Sequence, residues 1–349
     1  MGNLLQDELY QEDLNTVCGR DLPWEELRDR TILISGATGM IGSCLIDVMF
    51  HKNIGVKVVA LGRSEEKAKK RFEAYWDKDE FRFCECDITR RIPDEVGAVD
   101  YIFHAASSTH PKAYSTMPIA TITANISGTD LLLEYGSAHG MKRFVFASSV
   151  EVYGENRGDT DKFREDYCGY IDCNTLRAGY PESKRAGEAL CQAYKKEKGI
   201  EVVLPRLSRT YGPTLLASDT KAISQFIHKG VDREDIVLKS EGTQLYSYSY
   251  VSDAVSGILY TMLLGENGEA YNIADEGSDI TLRDLAALIA EYAGKKVVFE
   301  LPDETERAGY STATKALLDN SKIRELGWSS DVDIRKGITR TIEMLRKHG

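Results

Sequence analysis

Three glycines spaced three residues apart follow the first apolar segment of the chain. Gly36, Gly39 and Gly42 come directly after Thr31–Ser35, and helical spacing of apolar residues begins at Met40. A strand that enters a helix through such a turn is typical of a dinucleotide site. The first glycine permits the tight turn, the second lets the backbone approach a pyrophosphate, and the third lets helix and strand pack closely. The helix N-terminus adds unpaired N–H groups that favour phosphates. We therefore predict dinucleotide binding here, with a glycine-rich turn that binds nothing as the alternative.

Short apolar segments alternate with segments of helical periodicity along much of the chain. Strands are expected at 31–35, 56–61, 81–84, 101–104, 144–147 and 201–204. Helices are expected at 40–50, 65–75, 117–136 and 180–198. Such alternation predicts a parallel sheet that carries helices on both faces. We expect an α/β fold, namely a doubly wound Rossmann parallel sheet with a smaller C-terminal α/β substrate lobe.

The pattern changes after Tyr211, where Gly212 and Pro213 give a turn signal and the loops become longer. We predict three regions on this basis. Residues 1–30 form an N-terminal extension with short helical pieces, residues 31–211 an NAD(P)-binding Rossmann domain, and residues 212–349 a smaller substrate-binding lobe. The last boundary is open, because residues 248–260 can also return to the main sheet.

Composition and charge exclude several classes of partner. The 349 residues carry a net charge of −11, which disfavours nucleic acid and anionic membrane surfaces but permits a local basic pocket for an anionic small ligand. No segment is apolar enough to cross a bilayer, and the polar, acidic N-terminus does not match a signal peptide. Cys168 and Cys173 lack the second ligand pair of a structural zinc site. We expect a cytoplasmic protein without metal and without a disulfide framework.

Tyr180 and Lys184 are the strongest candidates for chemistry. They lie four residues apart in a predicted helix and therefore share one face. A nearby ammonium favours the phenolate and lowers a phenol pKa that is normally about 10. Such a phenol can take the proton of a sugar or alcohol hydroxyl while hydride leaves the same carbon. Ser149, at the end of a predicted strand, is the third member of this set.

The adenosine end of the predicted cofactor site departs from the usual pattern. An acid that binds the ribose of NAD is expected about 20 residues past the glycines, but Arg63 stands there. Arg63 can accept the 2′-phosphate of NADP or stack on adenine, and Glu65 and Glu66 can still reach the ribose. Asp87 can bond adenine or cap a helix. We predict NAD as the cofactor, with NADP as the alternative.

With these residues, the chain resembles the extended short-chain dehydrogenase/reductases, and more narrowly the NAD-dependent epimerase/dehydratase family that acts on nucleotide sugars. The resemblance covers roughly residues 30–345. The matching segments are Gly36–Gly42, 87–88, 104–106, 114–118, 125–129, 148–154, 180–184, 205–213, 250–253 and 326–328.

The resemblance implies oxidation of a sugar to a transient ketone, with Tyr180 as base, Lys184 lowering its pKa and holding the nicotinamide ribose, and Ser149 bonding the reacting hydroxyl. It implies cofactor contacts at Gly36, Thr38, Gly39, Met40, Ile41, Gly42, Arg63, Asp87, Ile88, Ala105, Ala106, Ser107, Asn125, Tyr180 and Lys184. It implies substrate contacts at Tyr114, Ser149, Arg177, Arg209 and Tyr246. The expected substrate is a nucleotide-diphosphate sugar. A homodimer through the helices at about 117–136 and 180–197 is also expected.

Three positions depart from the family pattern. Val150 replaces the acid that protonates the leaving hydroxyl in dehydratases, which disfavours dehydration. Arg209 replaces an Asn, and Tyr246 replaces an Arg, at positions that normally face the diphosphate. We expect Arg209 to take over that contact, because a guanidinium suits bidentate phosphate binding; a protein carboxylate is the alternative partner. Glu151 is a candidate catalytic acid or base, or a paired surface carboxylate.

Four functions remain open from the sequence. Epimerisation leads, because it needs no acid beyond Tyr180 and Ser149. Decarboxylation follows, since Glu151 and the segment 177–185 resemble UDP-glucuronate decarboxylases. Net reduction of a keto-sugar by NADPH is suggested by Arg63. A non-catalytic regulator that binds the cofactor is disfavoured, because Tyr180 and Lys184 are both present.

Overall fold

The computed structural model of the chain describes residues 4–107, 109, 111–300 and 313–348. The strands are β1 Thr31–Ser35, β2 Lys57–Gly62, β3 Phe81–Glu85, β4 Tyr101–His104, β5 Arg143–Phe146, β6 Ser148–Ser149, β7 Glu201–Leu207, β8 Arg209–Tyr211, β9 Ile236–Leu238, β10 Leu245–Tyr250, β11 Ala270–Ile273, β12 Asp275–Thr281, β13 Val297–Phe299 and β14 Lys315–Ala316. The α-helices are α1 Glu8–Cys18, α2 Met40–Lys52, α3 Glu65–Arg71, α4 Pro111–Thr116, α5 Pro118–Ala138, α6 Gly179–Lys198, α7 Ala222–Val231, α8 Val251–Leu264, α9 Leu282–Ala293, α10 Ser321–Glu325 and α11 Ile334–His348.

The main sheet is parallel and has the order β3-β2-β1-β4-β5-β7-β11, with β6 paired to β7. The strand order reverses between β1 and β4. In open parallel sheets a ligand crevice lies at the carboxyl ends of the strands next to such a reversal. The predicted doubly wound Rossmann fold is confirmed.

Alternate residues of the strands face two separate cores. Leu33, Phe144 and Phe146 face the layer that holds α5 and α6. Ile34 and Phe103 face the layer that holds α2 and α8. Because both faces are covered, the central strands are apolar over most of their length; β1 and β4 end in Ser35 and His104, which are buried and hydrogen-bonded to each other.

Residues after Gly212 are divided between two regions. β11 pairs with β7 and completes the main sheet, and α8 packs against β7 and α2. β10 pairs with β8, β12 and β14 in a smaller sheet, whereas β9 and β13 form a separate pair. The smaller sheet lies beyond the carboxyl end of β7 because β8 follows β7 after a single residue. It therefore forms one wall of the crevice.

The N-terminal extension contains an 11-residue helix that packs on α2, α8 and α11. Its Tyr10 hydroxyl donates to the buried Asp47 carboxylate at 2.6 Å. Its Asp13 carboxylate accepts from the Tyr250 hydroxyl at 2.7 Å and from Arg340 at 2.8 Å. Helix α1 is therefore hydrogen-bonded to α2 of the main domain and to residues far along the chain, Tyr250 and Arg340.

None of the helices in the described ranges has the length and apolar character needed to cross a bilayer. Within those ranges, no three His, Cys, Asp or Glu side chains gather as a metal site. The seven cysteines are all free thiols.

Candidate active site

At the glycine-rich turn the backbone lines the crevice without intervening side chains. Gly36 has φ +73°, and a Cβ there would lie 2.8 Å from the backbone of Ala105 and Ala106. A Cβ at Gly42 would lie 2.5 Å from the Gly36 carbonyl oxygen. Helix α2 begins directly after Gly39, which offers no side-chain cap. The first N–H groups of α2 are thus left for a ligand, as a pyrophosphate requires.

A cavity of roughly 2070 Å³ runs from this turn to the smaller sheet. The predicted site residues that line it are Gly36, Thr38, Gly39, Met40, Ile41, Gly42, Arg63, Ala105, Ser107, Tyr114, Ser149, Glu151, Arg177, Tyr180, Lys184, Arg209 and Tyr246. The structure therefore gathers the two predicted half-sites, for cofactor and for substrate, into one continuous space.

Four predicted cofactor residues do not line the cavity. The Asp87 carboxylate accepts from the backbone N–H and the hydroxyl of Thr89. These bonds lie in a turn that does not continue into a helix, so the helix-cap alternative is wrong. Asn125 donates to the Ser183 hydroxyl at 2.9 Å and so links α5 to α6. Ile88 and Ala106 are the other two. Contact of these four residues with a cofactor stays a prediction.

Tyr180 lies at the start of α6, with its ring buried beside Ser149 and Tyr114. The Ser149 hydroxyl is hydrogen-bonded to the Tyr180 phenol. Ser149 also accepts from the backbone N–H of Glu151 at 3.2 Å, because it caps the short helical turn Val150–Tyr153. The rings of Tyr114 and Tyr180 stack with centroids 4.9 Å apart. These contacts fix the phenol oxygen toward the cavity wall that Ser149 forms.

The electrostatics of Tyr180 and Lys184 differ from the sequence-based expectation. Burial raises the pKa of Tyr180 to about 12, helped by the charge of Glu151 and opposed by the Ser149 hydrogen bond. Lys184 donates to the Ala147 carbonyl at 2.8 Å, and its ammonium lies 6.0 Å from the Tyr180 ring centroid. Burial lowers the pKa of Lys184 to about 7. The expected lowering of the phenol pKa by Lys184 is therefore wrong for this conformation, because burial outweighs any influence of the amine.

Glu151 lies between two arginines at the other side of Tyr180. Its carboxylate accepts from Arg177 at 2.7 Å and faces Arg209 at 3.7 Å. Burial raises the pKa of Glu151, but the two guanidinium groups more than offset it and hold the pKa below its usual value. Glu151 is therefore ionised at neutral pH and is suited to accept hydrogen bonds rather than to donate a proton.

The two guanidinium groups are also held by aromatic rings. Arg177 lies over Tyr114 at 4.8 Å, and Arg209 lies over Tyr246 at 3.4 Å from the ring centroid. Both arginine side chains are less than one fifth exposed. Within the described residues, Nε and Nη1 of Arg177 and Nη1 of Arg209 are buried without a hydrogen-bond acceptor. One carboxylate thus serves two cations, which leaves a net positive charge and three unused donors.

The structure adds residues that the sequence analysis missed. Lys67 and Lys70 of α3 line the cavity next to Arg63. Lys67 and Lys70 are three residues apart in a charged helix that begins two residues after Arg63, and this spacing is the signal that could have identified them. Tyr248 also lines the cavity, opposite Arg209 in the β8–β10 pairing.

The sequence profile of the NAD dependent epimerase/dehydratase family matches residues 32–274, well over half of the chain. The chain belongs to this family. A member from Arabidopsis thaliana, UDP-glucuronic acid decarboxylase 3, is 31% identical over 311 residues, covering 88% of this chain and 86% of the relative. UDP-glucuronic acid decarboxylase 1 of Xenopus tropicalis is 29% identical over 322 residues, 91% of this chain and 72% of the relative.

Solved structures support the fold of this epimerase/dehydratase family member. UDP-glucose 4-epimerase of Thermotoga maritima has a TM-score of 0.79 at 24% identity, covering 91% of this chain and 99% of that one. UDP-glucuronic acid 4-epimerase of Bacillus cereus has a TM-score of 0.77 at 22% identity, covering 91% and 99%. At these identities the likeness concerns the fold alone.

Family membership makes this chain an enzyme of the nucleotide-sugar epimerase/dehydratase type with NAD as cofactor. The residues present fit that cofactor, since neither Gly36 nor Gly42 has room for a Cβ and α2 offers uncapped N–H groups. The buried Ser107 hydroxyl, which has no partner in the described part of the chain, faces the same cavity.

Proposed function

We propose that this enzyme acts on a nucleotide-diphosphate-linked uronic acid through a transient ketone at C4, and that the ketone then loses CO₂. The observation that carries the proposal is the pair of buried arginines, Arg177 and Arg209, which share one carboxylate beside Tyr180. A net positive charge with unused buried donors requires an anion, because burying unpaired cations is costly. A sugar carboxylate is an anion that would lie near the reacting hydroxyl.

The residues around Tyr180 suit the first step. Bound NAD⁺ would accept the hydride from the sugar carbon. Ser149 would bond the hydroxyl on that carbon, and Tyr180 would take its proton, so that alcohol becomes ketone. The hydrogen bond to the Ala147 carbonyl would hold Lys184 where it can bond the nicotinamide ribose of the cofactor. The buried ring of Tyr114 stacks on Tyr180 and would help to hold the phenol in place.

The second step follows from the chemistry of the oxidised uronic acid. A C4 ketone is β to the carboxylate on C5, so the carbon–carbon bond to CO₂ can break with its electron pair delocalised into an enolate. A proton must then be returned to C5. Return of the hydride from the reduced cofactor to C4 would restore the alcohol and the oxidised cofactor, so that the product differs from the substrate by CO₂ alone. Arg177 and Arg209 would hold the carboxylate before it leaves, and the ionised Glu151 would keep Arg177 in position.

The relatives of known activity support decarboxylation, since two of them are UDP-glucuronic acid decarboxylases. Epimerisation at C4, which the sequence analysis placed first, is the second candidate. It is favoured by one observation: the hydrogen-bonded Ser149 and Tyr180 are sufficient for it, without any group from the arginine pair.

The test is a product analysis with purified enzyme and NAD. UDP-glucuronic acid and UDP-glucose are incubated separately, and products are identified by mass spectrometry and NMR. Loss of the mass of CO₂ from the uronic acid supports the proposal. An unchanged mass with inverted C4 establishes epimerisation instead. Turnover of UDP-glucose without turnover of the uronic acid would overturn the assignment of the arginine pair to a carboxylate.

Glu151→Gln tests the positioning role of the carboxylate. Loss of its charge leaves Arg177 and Arg209 without a counter-ion, so kcat/KM for the uronic acid should fall by about tenfold or more. Glu182→Gln is the matched control, because Glu182 also pairs with an arginine, Arg185, but does not line the cavity. An equal effect of the two substitutions would show that Glu151 has no special role.

A further inference from the structure

The carboxyl end of β2 is basic where it borders the cavity. Arg63 follows β2 directly, and Lys67 and Lys70 project from successive turns of α3; all three side chains are exposed and line the cavity. Among the described residues, none of these three side chains forms a hydrogen bond or an ion pair within 4 Å. Arg63 has a weak electrostatic effect on Asp87, whose pKa is lowered mainly by its bonds with Thr89.

Three acids in the same region have other partners. Glu65 forms an ion pair with Lys69 at 2.7 Å. Glu85, at the end of β3, accepts from the backbone N–H of Glu65 at 2.9 Å. Asp87 holds Thr89 and faces Arg90. The residues that end β2 and begin the next turn, 62–64, contain no carboxylate. No acid therefore lies within the end of β2 itself, although the exposed Glu66 and Glu73 follow along α3 and the turn after it, and Glu73 lines the cavity.

The sheet topology determines which part of a dinucleotide reaches this place. The glycine turn between β1 and α2 receives the pyrophosphate, and the neighbouring strand β2 ends beside the adenosine ribose. NAD has a hydroxyl at the 2′ position, and NADP has a phosphate there. A phosphate matches one guanidinium and two ammonium groups in charge, and Arg63 can bind it through two parallel N–H groups.

We propose that the cavity contains, at the end of β2, a subsite for the 2′-phosphate of NADP formed by Arg63, Lys67 and Lys70. The chain then binds NADP in addition to NAD, which goes beyond the cofactor that its family is named for. Arg63 supplies the directed contact, and the two lysines add to the positive field. The inference concerns the cofactor alone and does not depend on which sugar is the substrate.

The experiment uses ligands that differ only in the phosphate. Purified protein, freed of bound nucleotide, is titrated with 2′,5′-ADP and with 5′-AMP by isothermal calorimetry, and with NADP and NAD in parallel. The 2′-phosphorylated ligand of each pair should bind at least about tenfold more tightly, since charge-assisted bonds to a phosphate are among the stronger polar contacts. The preference should shrink as salt is raised, because these cations are exposed.

Arg63→Ala should abolish most of this preference while changing the affinity for 5′-AMP and NAD by less than about threefold. Lys69→Ala is the matched control, since Lys69 lies on the same helix but is paired with Glu65 and does not line the cavity. Equal affinities of wild-type protein for the two members of each pair would overturn the proposal. Equal weakening of both members by Arg63→Ala would do the same, and would assign Arg63 to adenine stacking.

Discussion

Replacement of Arg209 by Met separates a ligand-binding cation from a structural one. Met keeps a long side chain against the Tyr246 ring and removes the charge. Two lost charge-assisted bonds to an anion should weaken nucleotide-sugar binding by about 2–4 kcal/mol, or about 30- to 900-fold. Thermal stability without ligand should change little. Loss of the cation–ring contact with Tyr246 should cost about 0.5–2 kcal/mol. This cost is offset because the substitution also removes a buried cation whose Nη1 has no acceptor and whose carboxylate partner, Glu151, is 3.7 Å away.

Arg206 provides the control, because it is a buried arginine with a complete set of partners. Its guanidinium donates to Glu188 at 2.7 and 2.9 Å, to the Tyr153 hydroxyl at 3.0 Å and to the Glu165 carbonyl at 2.8 Å. Arg206→Met leaves the Glu188 carboxylate without its cation and should destabilise the fold by about 3–5 kcal/mol. Arg206 does not line the cavity, so ligand affinity of the folded variant should be unchanged.

Thermal melting and calorimetric titration on both variants give the answer. Titration with UDP and with UDP-glucuronic acid distinguishes the two anions that Arg209 can face. A loss confined to UDP-glucuronic acid assigns Arg209 to the sugar carboxylate, whereas equal losses with both assign it to the diphosphate. The reasoning is refuted if Arg209→Met lowers the melting temperature as much as Arg206→Met and the folded protein binds both ligands normally.

Two further substitutions test the chemistry. Tyr180→Phe keeps the stacking on Tyr114 and removes the proton acceptor, so turnover should fall about 10²–10⁴-fold at unchanged melting temperature; near-full activity would exclude Tyr180 as the base. Lys184→Met should abolish activity and yet stabilise the ligand-free protein at neutral pH, because burial lowers the pKa of Lys184 from 10.5 to about 7. Above pH 10.5 the amine is neutral in both the folded and the unfolded chain. As pH falls from there toward about 7, the free energy of unfolding of the Met variant should increasingly exceed that of the wild type, and below about 7 the difference should stay constant. Urea unfolding of both proteins at pH 6 and pH 9 checks this, and a difference independent of pH would contradict it.

The fold and the glycine turn that lines the cavity could be predicted from the sequence, because both depend on local patterns. Gly36 and Gly42 can be recognised from their spacing and from the apolar strand before them. The alternation of strands and helices leaves few topologies once connections are short and right-handed. The pairing of Ser149 with Tyr180 followed from the family resemblance rather than from spacing.

The charges around Tyr180 could not be predicted in the same way. Glu151 and Arg209 lie 58 residues apart in sequence and meet only because β8 follows β7 into the smaller sheet. The pKa of Tyr180 was expected to fall, since spacing along the helix reveals that Lys184 is near but not how deeply the phenol is buried. Burial is a property of the assembled cavity, and here it reverses the direction of the shift.

The bonds of helix α1 have a consequence for how the protein is made. Asp13 and Arg340 are 327 residues apart, so at ribosomal rates the partner of Asp13 is synthesised about 15–65 s later. During that time the apolar side of α1, which includes Tyr10 and Leu14, can settle on α2, but the Asp13 carboxylate lacks the cation that neutralises it. We therefore expect α1, although it is synthesised early, to reach its final state only after α11 has been synthesised.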